Sequence, residues 1–160
     1  MVKALIIGGI SLGLLVLQMA VVPQCDWVAI ELIILVFGGF FDLAFEVAVA
    51  IGMIEGLVSA ALSSVVFGYL CGVGCSVLLS RKVLINRSLP SLLSLGLAMT
   101  IILVAVRVAA VIVVGRELPG GWEVARGTIQ HMLLNLGVLA IWYVVWYRPL
   151  HGPRVFMIAE

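Results

Sequence analysis

The chain has 160 residues, of which 64% are hydrophobic and only 11% charged, with a mean hydropathy of +1.32. A soluble domain needs about a quarter of its residues charged to cover its surface, so a water-soluble globule is excluded and one polytopic membrane domain over residues 1–160 is expected. A net charge of +1 by itself says nothing about nucleic acid, which is not expected as a partner, and too few polar residues remain for a second, soluble domain.

The first apolar run covers residues 4–22. Lys3 ahead of it imitates the basic start of a signal peptide. The run is near the roughly 20 residues a span needs, and no small-x-small cleavage pattern follows. It reads as a retained first helix. Pro23 stops it, the polar patch Gln24-Cys25-Asp26 follows, and Trp27 marks an interface. A second span is expected over 28–41, closed by Asp42, with Asp42 and Glu46 bracketing a short turn. The third and fourth spans, 47–62 and 65–79, flank a Ser63-Ser64 break, and Arg81 to Arg87 is the clearest loop. A fifth span covers 90–114. The turn from Arg116 to Gly121 carries charge and helix breakers. The sixth span, 128–147, exits through Trp142, Tyr143, Trp146 and Tyr147 as an aromatic belt. The fold class is therefore an all-α integral membrane protein with six transmembrane helices in one bundle.

The cations orient that bundle. With a cytoplasmic N-terminus, Lys3, Arg81, Lys82, Arg87, Arg148 and Arg154 lie inside, against Arg116 and Arg126 outside. This satisfies the positive-inside rule and places both termini in the cytoplasm.

Ionisable residues within spans are costly and usually face a bundle interior. Here they fall on helical stripes: Glu31, Gly38 and Asp42 in the second span, then Gly52, Glu55, Gly56, Ser59 and Ser63 in the third. Thr100 and Arg107 share a face of the fifth, and Thr128, His131 and Asn135 a face of the sixth. The four stripes are expected to face one another, with Glu31, Asp42, Ser59, His131 and Asn135 as interior polar groups. A buried Glu55–Arg107 pair near mid-membrane follows, because an unpaired charge there is far costlier than a paired one. Such a pair either fixes helix packing or belongs to a substrate, proton or ion pathway. Gly52/Gly56 and Gly68/Gly72 are small-xxx-small pairs, suited to close packing within the chain or to a partner helix. His131 has no second ligand nearby and reads as a hydrogen-bonded packing residue. Cys71 and Cys75, four apart in an apolar helix, and Cys25 read as inert thiols; neither a metal nor a cofactor is expected. Without a Walker, dinucleotide or triad signature, an enzyme is not expected.

The order of these features resembles the MreD family, the small membrane component of the bacterial rod-shape machinery. Pro23 closes the first outer turn, and a helix leads to Gly52-Met-Ile-Glu-Gly56-Leu57. A Ser-rich turn, Phe67-Gly68, a basic stop at Arg81-Lys82 and a last helix carrying Asn135 follow. Many members carry an acid shortly after that Gly-Leu; here Ser59 and Ala60 stand there, and Glu55 lies one turn earlier. The resemblance implies a six-helix fold similar to the substrate-binding subunits of energy-coupling-factor vitamin transporters. It also implies a non-enzymatic scaffold in the plasma membrane that acts in cell-wall elongation with an MreC-type single-span protein. Through MreC it implies links to a RodA-type polymerase, its penicillin-binding transpeptidase and MreB. Two other classes stay open. A vitamin-binding transporter subunit needs an outward pocket lined by polar and aromatic groups, for which Trp122 is the main outer aromatic. A small channel or proton-coupled carrier needs more than Glu55, Arg107 and His131.

Overall fold

The computed structural model describes residues 9–14, 16, 18, 25–59, 62–82, 88–115 and 120–151. Most of the expected loop 81–87, of the expected turn 116–121 and of the expected first span lies outside the described residues; Arg81 and Lys82 end a helix and Gly121 begins one. Every regular element described is helical. Residues 9–14, 16 and 18 are helical and are labelled α1. They are followed by α2 (Trp27–Gly38), α3 (Phe41–Val58), α4 (Leu62–Lys82), α5 (Leu89–Val113) and α6 (Gly121–Trp142). The last runs through a π-helical turn, Tyr143–Tyr147, into α7 (Arg148–His151). Among the described residues, three stretches, Ser64–Arg81, Leu89–Val113 and Gly121–Leu150, are long and apolar enough to cross a membrane.

The core is organised around α2. A helix that is apolar on every side is stable only when covered on every side, and α2 packs against α3, α4, α5 and α6. Val28 through Ile33, Val36 and Phe37 are all buried. Its 12 residues rise only about 18 Å at 1.5 Å each, well short of a hydrocarbon core about 30 Å thick. The stretch expected as the second span is thus a short core helix that ends before Asp42. Gly39 ends it with a left-handed φ of 86°, and its N–H bonds the Leu35 and Val36 carbonyls. Phe40 N–H also returns to Leu35 O. This is helix-terminating geometry that a glycine adopts without strain.

The next helix then starts six residues earlier than the expected 47. Asp42 lies in its first turn, where the N-terminal end of the helix dipole favours an acid. The apparent turn residues Asp42 and Glu46 are therefore helical and exposed. Ser63 and Ser64 belong to the start of α4, not to a break.

Small residues set the helix approaches. A methyl group built on Gly52 would stand 3.2 Å from Val66 Cα, the backbone of α4. One on Gly68 would meet Leu103, one on Gly72 would run into Met99 Sδ, and one on Gly96 would stand 2.6 Å from Leu139. Gly52 thus lets α3 approach the α4 backbone, and Gly68, Gly72 and Gly96 leave room for side chains of the neighbouring helix, α4 against α5 and α5 against α6. Gly56 is likewise buried. The opposite end of the bundle is aromatic: Trp142, Tyr143 and Tyr147 pack on Phe37 at centroid distances of 6.5, 6.3 and 5.0 Å. Arg81 lies over the Phe41 ring at 4.7 Å. Trp146 is exposed instead.

A candidate polar site at the start of α2

The site is built on Asp26. An aspartate directly before an apolar helix is a natural N-cap, and its Oδ1 accepts from Ala29 N–H at 2.9 Å. Because α2 is central, the cap is buried and other helices reach it. From α6, Asn135 Oδ1 accepts the Asp26 backbone N–H at 3.1 Å and the Cys25 thiol at 3.6 Å. Two donors converge on that oxygen, which fixes the orientation of the Asn135 amide. Burial, with Asp26 alongside, pushes the Cys25 thiol up to about 11, so it remains a donor at neutral pH.

From α4, Tyr69 is fully buried. Its hydroxyl lies 2.7 Å from Glu55 Oε2 on α3 and 3.4 Å from Asp26 Oδ1. From α5, the Arg107 guanidinium lies 3.7 Å from Asp26 Oδ2, with 49% of its side chain exposed. An ion pair so long and so exposed contributes little, about 0–1 kcal/mol. Asp26, Asn135, Tyr69, Glu55 and Arg107 thus tie five elements together at one end of the bundle.

Beside Asp26 a cavity of about 200 Å³ opens between α5 and α6. Thr100, Leu103, Val104, Arg107 and Val108 line it from α5, and Val124, Thr128, His131 and Asn135 from α6. Thr100 and Thr128 return their hydroxyls to the carbonyls of Gly96 and Val124, leaving oxygen lone pairs to the cavity.

The structure rearranges the expected pairings. Glu55 and Arg107 belong to one cluster but form no direct salt bridge among the described residues. Glu55 bonds Tyr69, and Arg107 pairs with Asp26. His131 is half-buried, lines the cavity and hydrogen-bonds no described residue, in contrast to the bonded packing residue expected. Glu31 is buried but faces α1: Ser11 Oγ donates to its Oε1 at 2.7 Å, and its Oε2 has no partner among the described residues. Asp42 and Ser59 are exposed, not interior. The stripe through Glu31, Gly38 and Asp42 loses its helical phase at the Gly39 turn, and Ser59 follows the last residue of α3.

Asp26 and Tyr69 lie off the helical stripes of polar residues. Asp26 carries an N-cap signature, an acid immediately before an apolar run. Tyr69 is a lone hydroxyl in a run of small and apolar residues, and a buried tyrosine O–H requires an acceptor.

In comparisons with protein-family models, curated proteins and solved structures, nothing matches the chain.

Proposed function

We propose that this chain is a non-catalytic scaffold subunit of the bacterial cell-wall elongation complex. In this reading it lies in the plasma membrane as a six-helix bundle and binds an MreC-type single-span protein. Through that partner it connects to a RodA-type polymerase, its transpeptidase and MreB. The observation that supports a scaffold is that buried Asp26, Asn135, Tyr69 and Glu55 bind one another across the start of α2, α6, α4 and α3, with Arg107 of α5 beside Asp26, which fixes five elements in one arrangement. Such a body offers its surroundings apolar helix faces. Leu57, Val58, Phe67, Ile101, Ile141 and Val145 are among the large side chains it exposes, suited to lipid and to a partner helix. The MreD resemblance supplies the cell-wall assignment.

The glycine pairs refine where the partner binds. Gly52, Gly68 and Gly72 already face neighbouring helices of the same chain. The partner surface is therefore sought on the exposed apolar faces and not on these glycines. One observation favours a second reading, the substrate-binding subunit of a vitamin transporter: the cavity between α5 and α6, with Asp26, Arg107, His131 and Asn135 on its wall.

Purification from native membranes in a gentle detergent, with mass spectrometry of the proteins and small molecules that follow, separates the two. An MreC-like single-span protein accompanied by wall-synthesis enzymes is the expected result. An ATPase pair with a membrane coupling subunit, or a tightly held vitamin, overturns it.

A further inference from the structure

We infer that Asp26, Tyr69 and Glu55 form a proton-binding array, loaded through the cavity between α5 and α6, that stores one proton on Glu55. The inference is independent of the scaffold reading. Tyr69 has one hydroxyl proton but faces a carboxyl oxygen on each side, Glu55 Oε2 at 2.7 Å and Asp26 Oδ1 at 3.4 Å. With both acids ionised, that proton satisfies one contact and leaves the other as lone pair against lone pair. One added proton removes the conflict: Glu55 donates to Tyr69 and Tyr69 donates to Asp26. Asp26 remains the carboxylate, which the Ala29 N–H cap and Arg107 both require.

Charge leads to the same place. The groups around the array are Cys25 and Asp26 before α2, Glu55 on α3, Tyr69 on α4, Arg107 on α5, and His131 with Asn135 on α6. Cys25 is a neutral thiol donating to Asn135. Two carboxyls therefore share one guanidinium, which lies on the Asp26 side and is half-exposed. Glu55 is buried with the Tyr69 hydroxyl as its hydrogen-bond partner, so its charge is the one left uncompensated and the one a proton removes. The only other acid along α2, Glu31, bonds Ser11 of α1.

The cavity provides the route, because Asp26 is part of its lining. Hydronium in the cavity gives a proton to Asp26 and is left as water. Asp26 passes its proton to Tyr69 Oη while the tyrosine's own proton moves to Glu55 Oε2. One O–H bond forms on Tyr69 as another breaks, so Tyr69 is neutral before and after. Asp26 is again a carboxylate, and Glu55 is a carboxylic acid. A lone acid and base could not do this; the tyrosine between two acids is what makes a relay.

The test is infrared difference spectroscopy between acidic and alkaline buffer, with the protein in phosphatidylcholine vesicles. Wild type minus Glu55→Gln is expected to show one carboxylic-acid C=O band that shifts in heavy water. The subtraction removes any contribution from Glu31. Glutamine keeps an N–H donor for Tyr69, so this variant is expected to fold. Tyr69→Phe retains Glu55 but removes its partner, and should move the band to higher frequency. The inference is overturned if Glu55→Gln removes no acid band, or if Tyr69→Phe leaves the band where it was. Retention in Glu55→Gln with loss in Asp26→Asn would place the proton on Asp26 and overturn it equally.

Discussion

Gly52→Leu is expected to unfold the α3–α4 hairpin at markedly lower denaturant than wild type, whereas Gly74→Leu is expected to change little. The contrast comes from what each site faces. A Cβ on Gly52 meets the Val66 backbone at 3.2 Å and the Tyr69 ring at 3.4 Å, while one on Gly74 meets nothing within 4 Å. A flexible side chain can turn aside, but a helix backbone moves only by displacing the whole helix. Overpacking typically costs about 1–3 kcal/mol, and Gly52→Leu adds a branched side chain against backbone, so about 3 kcal/mol is expected. Displacing α4 also withdraws Tyr69 from Glu55. Unfolding in increasing sodium dodecyl sulfate measures both variants. Equal midpoints for the two would mean that α3 and α4 do not approach at Gly52.

Asp26→Ala is expected to cost about 2 kcal/mol, and Asp26→Asn about half of that. Alanine removes an N-cap acceptor, about 1 kcal/mol. It also removes the Arg107 partner, at most about 1 kcal/mol for so exposed a pair, and the weak Tyr69 contact. Asparagine keeps a cap oxygen at the same place and loses only the charge. The bond from the residue 26 backbone to Asn135 survives in both. The same unfolding assay ranks the three proteins. If Asp26→Asn proves as damaging as Asp26→Ala, the carboxylate matters through its charge and not through the cap.

Much of this architecture is legible in the amino-acid pattern, and the misreadings have physical causes. The run expected over 90–114 is the helix Leu89–Val113, because Pro90 begins it and Gly115 follows it where a helix tolerates each. The end of α2 was invisible: Gly39 turns the chain inside an apolar stretch, and the first charged residue, Asp42, lies beyond the turn. Acids at 42 and 46 suggest a loop to a composition count, yet the start of a helix suits them. Within the site, Thr100, Arg107, Thr128, His131 and Asn135 emerge from helical spacing and do share one cavity. Their partners do not. Spacing gives the face of a helix, but not which of two nearby groups takes a buried acid. Hence charge alone pairs Glu55 with Arg107, the cation within a span, while the chain satisfies it with the Tyr69 hydroxyl. The cap residue of a short central helix becomes the meeting point of cation and acid because that helix is buried, a property its sequence does not display.

The hub at the start of α2 is tested most directly by two double-mutant cycles on unfolding free energy. One combines Glu55→Ala with Tyr69→Phe, the other Glu55→Ala with Arg107→Ala. Residues in one hydrogen-bonded network couple by about 0.5–3 kcal/mol. The geometry calls for coupling of that size between Glu55 and Tyr69, and for near-additive losses between Glu55 and Arg107. Strong coupling to Arg107 with additivity at Tyr69 would contradict it, and would mean that a direct ion pair, not the tyrosine, holds the buried acid.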